Sequence, residues 1–113
     1  MKIISKQESF ERKNSDACIV TEYPMIDESI DFAIVHINGQ YPLEKKAVNK
    51  KCKEMVYVEK GSGEVIVNDK KYLIHAGDVI LIEAGEKFVW KGIMTLHISC
   101  RPAFTKEQHQ IVE

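Results

Sequence analysis

Apolar residues in this chain occur in short runs that alternate with polar ones, a pattern that predicts β-strands rather than helices. Between Asp31 and Asn38 nearly every position is apolar, so we predict a strand that is buried on both faces. The strand from Glu54 to Lys60 is different, because one of its faces combines a carboxylate with two valines. That face consists of Glu54, Val56 and Val58, and the other consists of Met55, Tyr57 and Glu59.

The stretch from Gly77 to Gly92 has the clearest pattern in the second half of the chain. Its apolar run, Val79 to Ile82, is short, β-branched and bounded by turn residues, which predicts a buried strand. Residues 83–86 then form a turn, and the Phe-Val-Trp sequence of residues 88–90 carries the chain back. This stretch therefore predicts a hairpin.

Residues that tolerate positive φ mark two more turns, at Gly61 to Gly63 and at Asn68 to Asp69. The second of these turns leads into a strand over residues 71–75. A last strand is predicted from Met94 to Cys100, and Arg101-Pro102 stops it. Turn signals recur about every eight to twelve residues, as is typical of an all-β sandwich or barrel.

The remaining segments have weaker patterns. We interpret residues 1–24 as edge strands and irregular cover, and residues 40–53, which carry five lysines, as a loop and a poorly packed edge. Near the end of the chain, Thr105 and Gln108 have the spacing of a capping box. That spacing predicts a short C-terminal helix over residues 106–112.

Composition narrows the range of partners. A chain of 113 residues has the size of one domain, so residues 1–113 are expected to form it. Sixteen basic and seventeen acidic residues leave a net charge of −1, which favours neither nucleic acid nor an anionic membrane. The polar N-terminus is unlike a signal peptide, and the three cysteines follow no disulfide spacing, so we expect a cytoplasmic protein with reduced thiols.

Two motifs in this chain resemble those of the cupins, which are small barrels of the jelly-roll or double-stranded β-helix type. The first cupin motif places a glycine seven positions after a glutamate, as Gly61 follows Glu54 here. The second has five fixed positions, which are here Gly77, Glu83, Gly85, Phe88 and Gly92. The resemblance covers roughly residues 32–100 and implies an all-β, cupin-type jelly-roll barrel.

The same comparison argues against the metal chemistry of many cupins. In the family, a His-x-His pair shortly before the glutamate supplies two metal ligands, but residues 47–50 here are Ala-Val-Asn-Lys. The histidine and asparagine of the second motif are replaced by Phe88 and Gly92. Only Glu54 remains of the four usual ligands, whereas metal sites ordinarily need three or four protein donors. We therefore expect neither a metal nor another cofactor.

Glu54 is the foremost candidate for chemistry. A carboxylate on a face with two valines is expected to be partly desolvated, which raises its pKa and suits a general acid or base. The alternative is a structural carboxylate that is paired with a lysine or with backbone amides.

Cys52, two residues earlier, is either a thiolate ligand or nucleophile, or a small buried hydrophobe. His36 and His97 are expected near the barrel mouth, so a substitute metal set of Cys52, Glu54, His36 and His97 remains open. His75 and His109 are expected to be solvated.

Phe88 and Trp90 face the same side of their strand, where they either fill the core or form a wall on which a sugar or flat ligand stacks. The lysines between Lys45 and Lys53 either steer an anionic substrate or form a solvated face. Met55 and Tyr57 would lie outside the barrel, where a homodimer interface would hide them.

The leading hypothesis is a metal-independent cupin that binds a small polar or carbohydrate-like ligand. Its expected ligand-binding residues are Glu54, Phe88, Trp90, Asn49, His97, His36 and Cys52. One alternative is an isomerase or epimerase acting on sugar-like or keto substrates, with Glu54 and a histidine as acid and base. Another is a metal-dependent cupin with the non-standard ligands named above.

Overall fold

The computed structural model describes residues 1–24 and 27–113, which form antiparallel strands with two short 3₁₀ turns, at Lys6–Glu8 and Lys106–Gln108. The strands are β1 (Phe10–Ser15), β2 (Cys18–Glu22), β3 (Ala33–Tyr41), β4 (Lys46–Asn49), β5 (Lys53–Val67), β6 (Lys70–His75), β7 (Val79–Ile82), β8 (Lys87–Arg101) and β9 (His109–Val112). They follow the order β1-β2-β3-β8-β4-β9, and β5 pairs with β6, β7 and β8. The sheet curls into a barrel, which confirms the all-β, jelly-roll prediction.

The two longest strands, β5 and β8, organise this sheet. They pair with each other from Lys53 opposite Arg101 to Val67 opposite Phe88, while the other edge of β8 pairs with β3 and β4. The predicted separate strand from Met94 is thus the second half of β8, which runs on through Gly92.

The predicted turn at Gly61 to Gly63 is wrong, because β5 continues through these residues. A Cβ at Gly61 would lie 2.1 Å from the carbonyl oxygen of Ile93, and a Cβ at Gly63 would lie 2.2 Å from that of Lys91. These glycines therefore allow β5 to approach β8 closely rather than to reverse direction. The predicted turn at Asn68 and Asp69 is confirmed, with φ values of 50° and 68° between β5 and β6.

The alternation predicted for the start of β5 is confirmed, since Glu54 is buried with the two valines of its face while Met55 and Tyr57 are exposed. β3 is buried on one face only, because the face that carries His36 points away from the core. β7 is likewise half exposed, with Val79 and Leu81 on the outer surface. Both strands lie in a sheet that has its core on one side, so alternate residues point outward.

The C-terminal helix predicted for residues 106–112 is also wrong. The chain makes a single 3₁₀ turn at Lys106–Gln108 and then forms β9, which pairs with β4 in the register of Asn49 opposite His109. This pairing also replaces the loop predicted within residues 40–53, because Ala47 to Asn49 are buried in β4. The capping-box spacing favours a helix locally, but the pairing of β9 with β4 overrides that local propensity.

The core lies inside the barrel and is mostly aliphatic, with Val56, Val58 and Leu96 fully buried. Polar side chains enter it where β4, β5 and β9 meet, at Asn49, Glu54 and Gln108. Within the described residues, no helix has the length and apolar character needed to cross a membrane.

Candidate functional site

A cavity of about 60 Å³ lies inside the barrel next to these polar residues. Its wall includes the predicted residues Glu54, Phe88 and Trp90. It also includes Tyr41 and His109, which the sequence did not single out as ligand-binding residues. The cavity therefore combines an aromatic wall with groups able to form hydrogen bonds, among them Glu54, Tyr41 and His109.

Glu54 lies at the start of β5 and is only 6% exposed. The side-chain amide of Asn49 donates a hydrogen bond of 2.7 Å to Oε1 of Glu54. Oε2 is buried and has no hydrogen-bond partner among the residues that the structure describes. Burial raises the pKa of Glu54 to about 7, with a smaller contribution from the charge of Asp31, and the Asn49 hydrogen bond opposes this rise.

Two backbone amides set the direction of the hydrogen bonds that lead to Glu54. The N–H groups of Lys51 and Cys52 donate to Oε1 of Gln108, at 3.1 and 3.3 Å. Gln108 must then present its NH₂ group to Oδ1 of Asn49, at 3.2 Å. Asn49 in turn presents its own NH₂ group to Glu54, so Oε1 of Glu54 is an acceptor and a proton on this carboxyl group resides on Oε2.

The same chain of bonds fixes the tautomer of His109. Because Oδ1 of Asn49 is an acceptor, Nδ1 of His109 carries the proton and donates to it at 2.8 Å. Nε2 of His109 therefore accepts from the Tyr41 hydroxyl at 2.9 Å. Burial lowers the pKa of His109 and raises that of Tyr41 to about 12, so both groups are neutral at pH 7.

The expectation that His109 is solvated is thus wrong. Its place depends on the pairing of β9 with β4, for which the sequence carries no local signal. Asn49 was a candidate from its position before Glu54, and the structure gives it the central position between Glu54 and His109.

Phe88 and Trp90 are both buried at 2% exposure and contact each other edge to face, with ring centroids 6.0 Å apart. They belong to the hydrophobic core and also line the cavity. Core filling, one of the two roles weighed from the sequence, is confirmed, and a wall on which a ligand stacks stays a prediction.

The structure does not bring His36 and His97 into the cavity. Both lie on outward-pointing positions of their strands, where His36 contacts Oγ1 of Thr95 at 3.3 Å and His97 contacts Oε1 of Glu59 at 2.5 Å. Strand alternation explains this placement, because the inward face of β8 at that end carries Ile98 and Cys100 instead of His97.

Cys52 is buried and lies beside Cys100, with which it shares a hydrogen bond between the thiols. That hydrogen bond and burial raise the pKa of Cys100, which lines the cavity. Burial also raises the pKa of Cys18, which lines the cavity as well, to about 11. Neutral thiols at these two positions make the cavity wall more apolar.

The residues around Glu54 do not fit a metal ion. Across residues 1–24 and 27–113, no group of three or more His, Cys, Asp or Glu side chains could hold one. The substitute set of Cys52, Glu54, His36 and His97 is divided, because the two histidines face outward. Among the residues that the structure describes, Glu54 thus has no partner ligands of the kind that a first-row metal requires.

Comparison with known sequences identifies the family. The cupin domain profile matches residues 35–93, and the chain belongs to the cupin superfamily. No curated protein sequence matches the chain.

Several solved structures share the fold. Pac13 from Streptomyces, described as a nucleoside dehydratase and solved with uridine, superimposes with a TM-score of 0.89 at 20% identity, covering 100% of this chain and 92% of that one. KdgF from Halomonas sp. gives a TM-score of 0.74 at 11% identity, with 91% of this chain and 96% of that chain covered. Ectoine synthase from P. lautus gives 0.73 at 15% identity, with 100% and 91% covered. At these identities the likeness establishes the fold.

Proposed function

We propose that residues 1–113 act as one metal-independent cupin domain that binds a small polar or carbohydrate-like molecule in the barrel without a cofactor. The observation that carries this proposal is the buried Oε2 of Glu54, which has no partner among the described residues. A buried polar atom without a partner costs about 1 to 3 kcal/mol, so its presence calls for an explanation such as ligand binding or catalysis. A ligand hydroxyl or carbonyl would provide the missing hydrogen bond.

The protonation of Glu54 suits either type of partner. With a pKa of about 7, its carboxyl group exists in both forms near neutral pH, so Oε2 can accept from a hydroxyl or donate to a carbonyl. Phe88 and Trp90 line the cavity and would provide apolar contacts to a sugar or a flat ring. Uridine, which Pac13 was solved with, combines both chemical features.

A second candidate function is acid–base catalysis, as in an isomerase or epimerase. It is favoured by the link from Glu54 through Asn49 to the neutral His109, which provides two titratable groups at one cavity. His97, considered for this role from the sequence, lies on the outer face, and His109 takes its place in the proposal. Because the Tyr41 hydroxyl bonds to Nε2 of His109, that histidine would act on a substrate through Tyr41.

A thermal-shift screen of neutral sugars, nucleosides and small keto compounds tests both candidates. We expect at least one compound to raise Tm, and we expect Glu54→Gln to weaken its binding about tenfold, because binding to the deprotonated Oε2 is lost. Glu59→Gln, on the outer face of the same strand, is the control and should bind like the wild type.

The outcomes separate the two functions. If Glu54→Gln keeps binding but loses turnover of the compound, catalysis is favoured over simple binding. If no compound in the screen shifts Tm, the ligand-binding proposal fails, and a filled barrel that serves as a structural module replaces it.

We also propose a homodimer formed through the outer face of β5 and β7. Met55 lies opposite Leu81 and Tyr57 lies opposite Val79, and all four side chains are at least 43% exposed. A contiguous apolar face of this kind favours self-association.

The Leu81→Lys variant should dissociate this dimer, because it places a charge in the middle of the apolar face. Light scattering after size-exclusion chromatography measures the mass directly. Leu73→Lys, at an exposed position of β6, is the control and should remain dimeric. A wild-type protein that is monomeric at 100 μM would contradict the dimer, since stable interfaces have a Kd of about 1 μM or below.

We infer a cytoplasmic location from the state of the thiols. Cys18, Cys52 and Cys100 are all free and buried, which suits a reducing compartment. Microscopy of a fluorescent fusion would test the location, and accumulation outside the cytoplasm would contradict it.

A further inference from the structure

We propose that the ligand of this cupin is an anion whose phosphate or carboxylate group lies outside the cavity, in a vestibule where Arg12 holds it. The neutral polar end of the same molecule would reach Glu54. This inference rests on the proposed function and adds the chemical class of the ligand.

The vestibule is a space of about 540 Å³ that shares part of its wall with the inner cavity. Four residues line both spaces, namely Arg12, Asn14, Glu22 and Phe104. The inner cavity, at about 60 Å³, is well below the roughly 300 to 1,000 Å³ of typical small-molecule sites. The two spaces together reach that range, so a ligand of typical size that contacts Glu54 would extend into the vestibule.

The two spaces share the Arg12–Glu22 ion pair, but their other charged residues are opposite in sign. Three cationic residues line the vestibule, Arg12, Lys13 and Lys106, against one carboxylate, Glu22. Lys13 also lies 3.7 Å from Asp16, a fully exposed partner that weakens its contribution. The inner cavity instead has the carboxyl groups of Glu54 and Asp31 on its wall. A ligand would therefore bind with its anionic end outward and its neutral end inward.

Arg12 is positioned to recognise the anion. Its guanidinium lies over the ring of Phe104, 5.4 Å from the centroid, and its Nε donates to Glu22 at 3.1 Å. Nη1 donates to Asn14. These contacts use two of the five N–H donors of the group, which leaves a planar fork suited to a phosphate or carboxylate. Phe104 in turn contacts His109, with centroids 5.6 Å apart, and so connects the vestibule to the inner site.

Glu22 competes with an incoming anion for Arg12, and this competition provides a test with a distinctive sign. The Arg12→Gln and Glu22→Gln variants break the same ion pair. If that pair only supported the structure, both variants would weaken binding. If Arg12 binds the ligand anion, Arg12→Gln should weaken binding while Glu22→Gln strengthens it.

The test is calorimetric titration with matched probes: ribose, ribose 5-phosphate and ribonate, then uridine and uridine 5′-monophosphate, with inorganic phosphate alone. We expect at least one charged member to bind about tenfold more tightly than its neutral counterpart, a difference that shrinks at high salt. Arg12→Gln should remove the difference and Glu22→Gln should increase it. The pairs with phosphate and with carboxylate identify which anion is preferred.

Two further variants serve as controls in case Arg12→Gln has a folding defect. Lys106→Gln, at an exposed position of the vestibule, should weaken the charged probes by about threefold, as a single solvated charge does. Lys70→Gln, in the β5–β6 hairpin, carries the same change of charge and should have no effect.

The results also separate this inference from the proposed function. Neutral probes that bind as tightly as charged ones, or Arg12 and Glu22 variants that weaken binding alike, would overturn the anionic class and leave the binding function intact. If neither the neutral nor the charged probes bind the wild-type protein, both proposals are overturned.

Discussion

The Glu54→Gln variant is expected to be more stable than the wild-type protein at pH 8, by about 3 kcal/mol, and equally stable at pH 4. Glutamine has the shape of a protonated glutamate but cannot ionise. It therefore removes the cost of holding a buried carboxylate. Most substitutions of buried polar groups destabilise a protein, so a gain in stability would be unusual.

The sign follows from the direction of the pKa shift. Burial raises the pKa of Glu54 from 4.5 to about 7, so the folded protein holds this proton more tightly than the unfolded chain does. The resulting contribution to stability is complete below pH 4.5 and is lost as the pH rises through 7. Each pKa unit corresponds to about 1.4 kcal/mol, which gives the magnitude stated above.

His109 acts in the opposite direction, because burial lowers its pKa and stability is then lost as the pH falls below its ordinary range. The measurement is therefore the difference in unfolding free energy between wild type and variant, obtained in urea at several pH values from 4 to 8. His109 is present in both proteins, so its contribution to the pH dependence cancels in this difference. Glu44→Gln, at an exposed carboxyl that forms no ion pair with a described residue, is the control and should give a flat difference. A flat difference for Glu54→Gln as well would contradict the raised pKa.

The second large effect is expected at the crossing of β5 and β8, where Gly61→Ala should destabilise the protein by about 3 kcal/mol or more. The new Cβ would lie 2.1 Å from the backbone oxygen of Ile93, so one of the two longest strands would have to move. The start of β5, which carries Glu54, would move with it, and ligand binding should suffer together with stability.

Gly85→Ala provides a matched control, because the two glycines have φ values of 87° and 86°. A Cβ at Gly85 meets no described atom within 4 Å, so its substitution costs only the backbone strain of about 1 kcal/mol, or about 4 °C in Tm. Calorimetry of the two variants measures the difference. Equal losses of Tm would show that strain alone matters and that the close approach of the strands does not.

Much of the architecture could be predicted from local pattern. The period of two along β5 placed Glu54 on the buried face, and the spacing of Gly77, Gly85 and Phe88 indicated the family. Both features depend on residues that lie close together in the chain, so they can be predicted from the sequence.

The remainder of the candidate site depends on contacts between distant segments. His109 and Gln108 reach Asn49 only because β9 pairs with β4, about 60 residues away in the chain. The capping-box spacing of Gln108 suggested a helix, whereas its side chain bonds to the amides of Lys51 and Cys52. Gly61 was predicted to form a turn because glycine tolerates positive φ. That conformation suits a close strand crossing as well as a turn, and Gly61 adopts it within β5.

A buried carboxyl group that lowers stability at neutral pH is informative about function. Proteins retain such groups where ligand binding or catalysis needs them, and removing them often stabilises the fold at the expense of activity. Asn49 and Gln108 hold Glu54 in one orientation, with Oε1 occupied and Oε2 left for a partner. In the proposed binding site, the orientation of the Glu54 carboxyl group is thus fixed before a ligand binds.

The most direct measurement is the titration of the Glu54 carboxyl carbon by ¹³C NMR, with Glu54→Gln used to assign its resonance. A desolvated carboxyl group at the cavity should titrate with a midpoint near 7. A midpoint near 4.5, the ordinary value for glutamate, would mean that water reaches this carboxylate freely and would contradict its proposed role as the buried ligand-binding group.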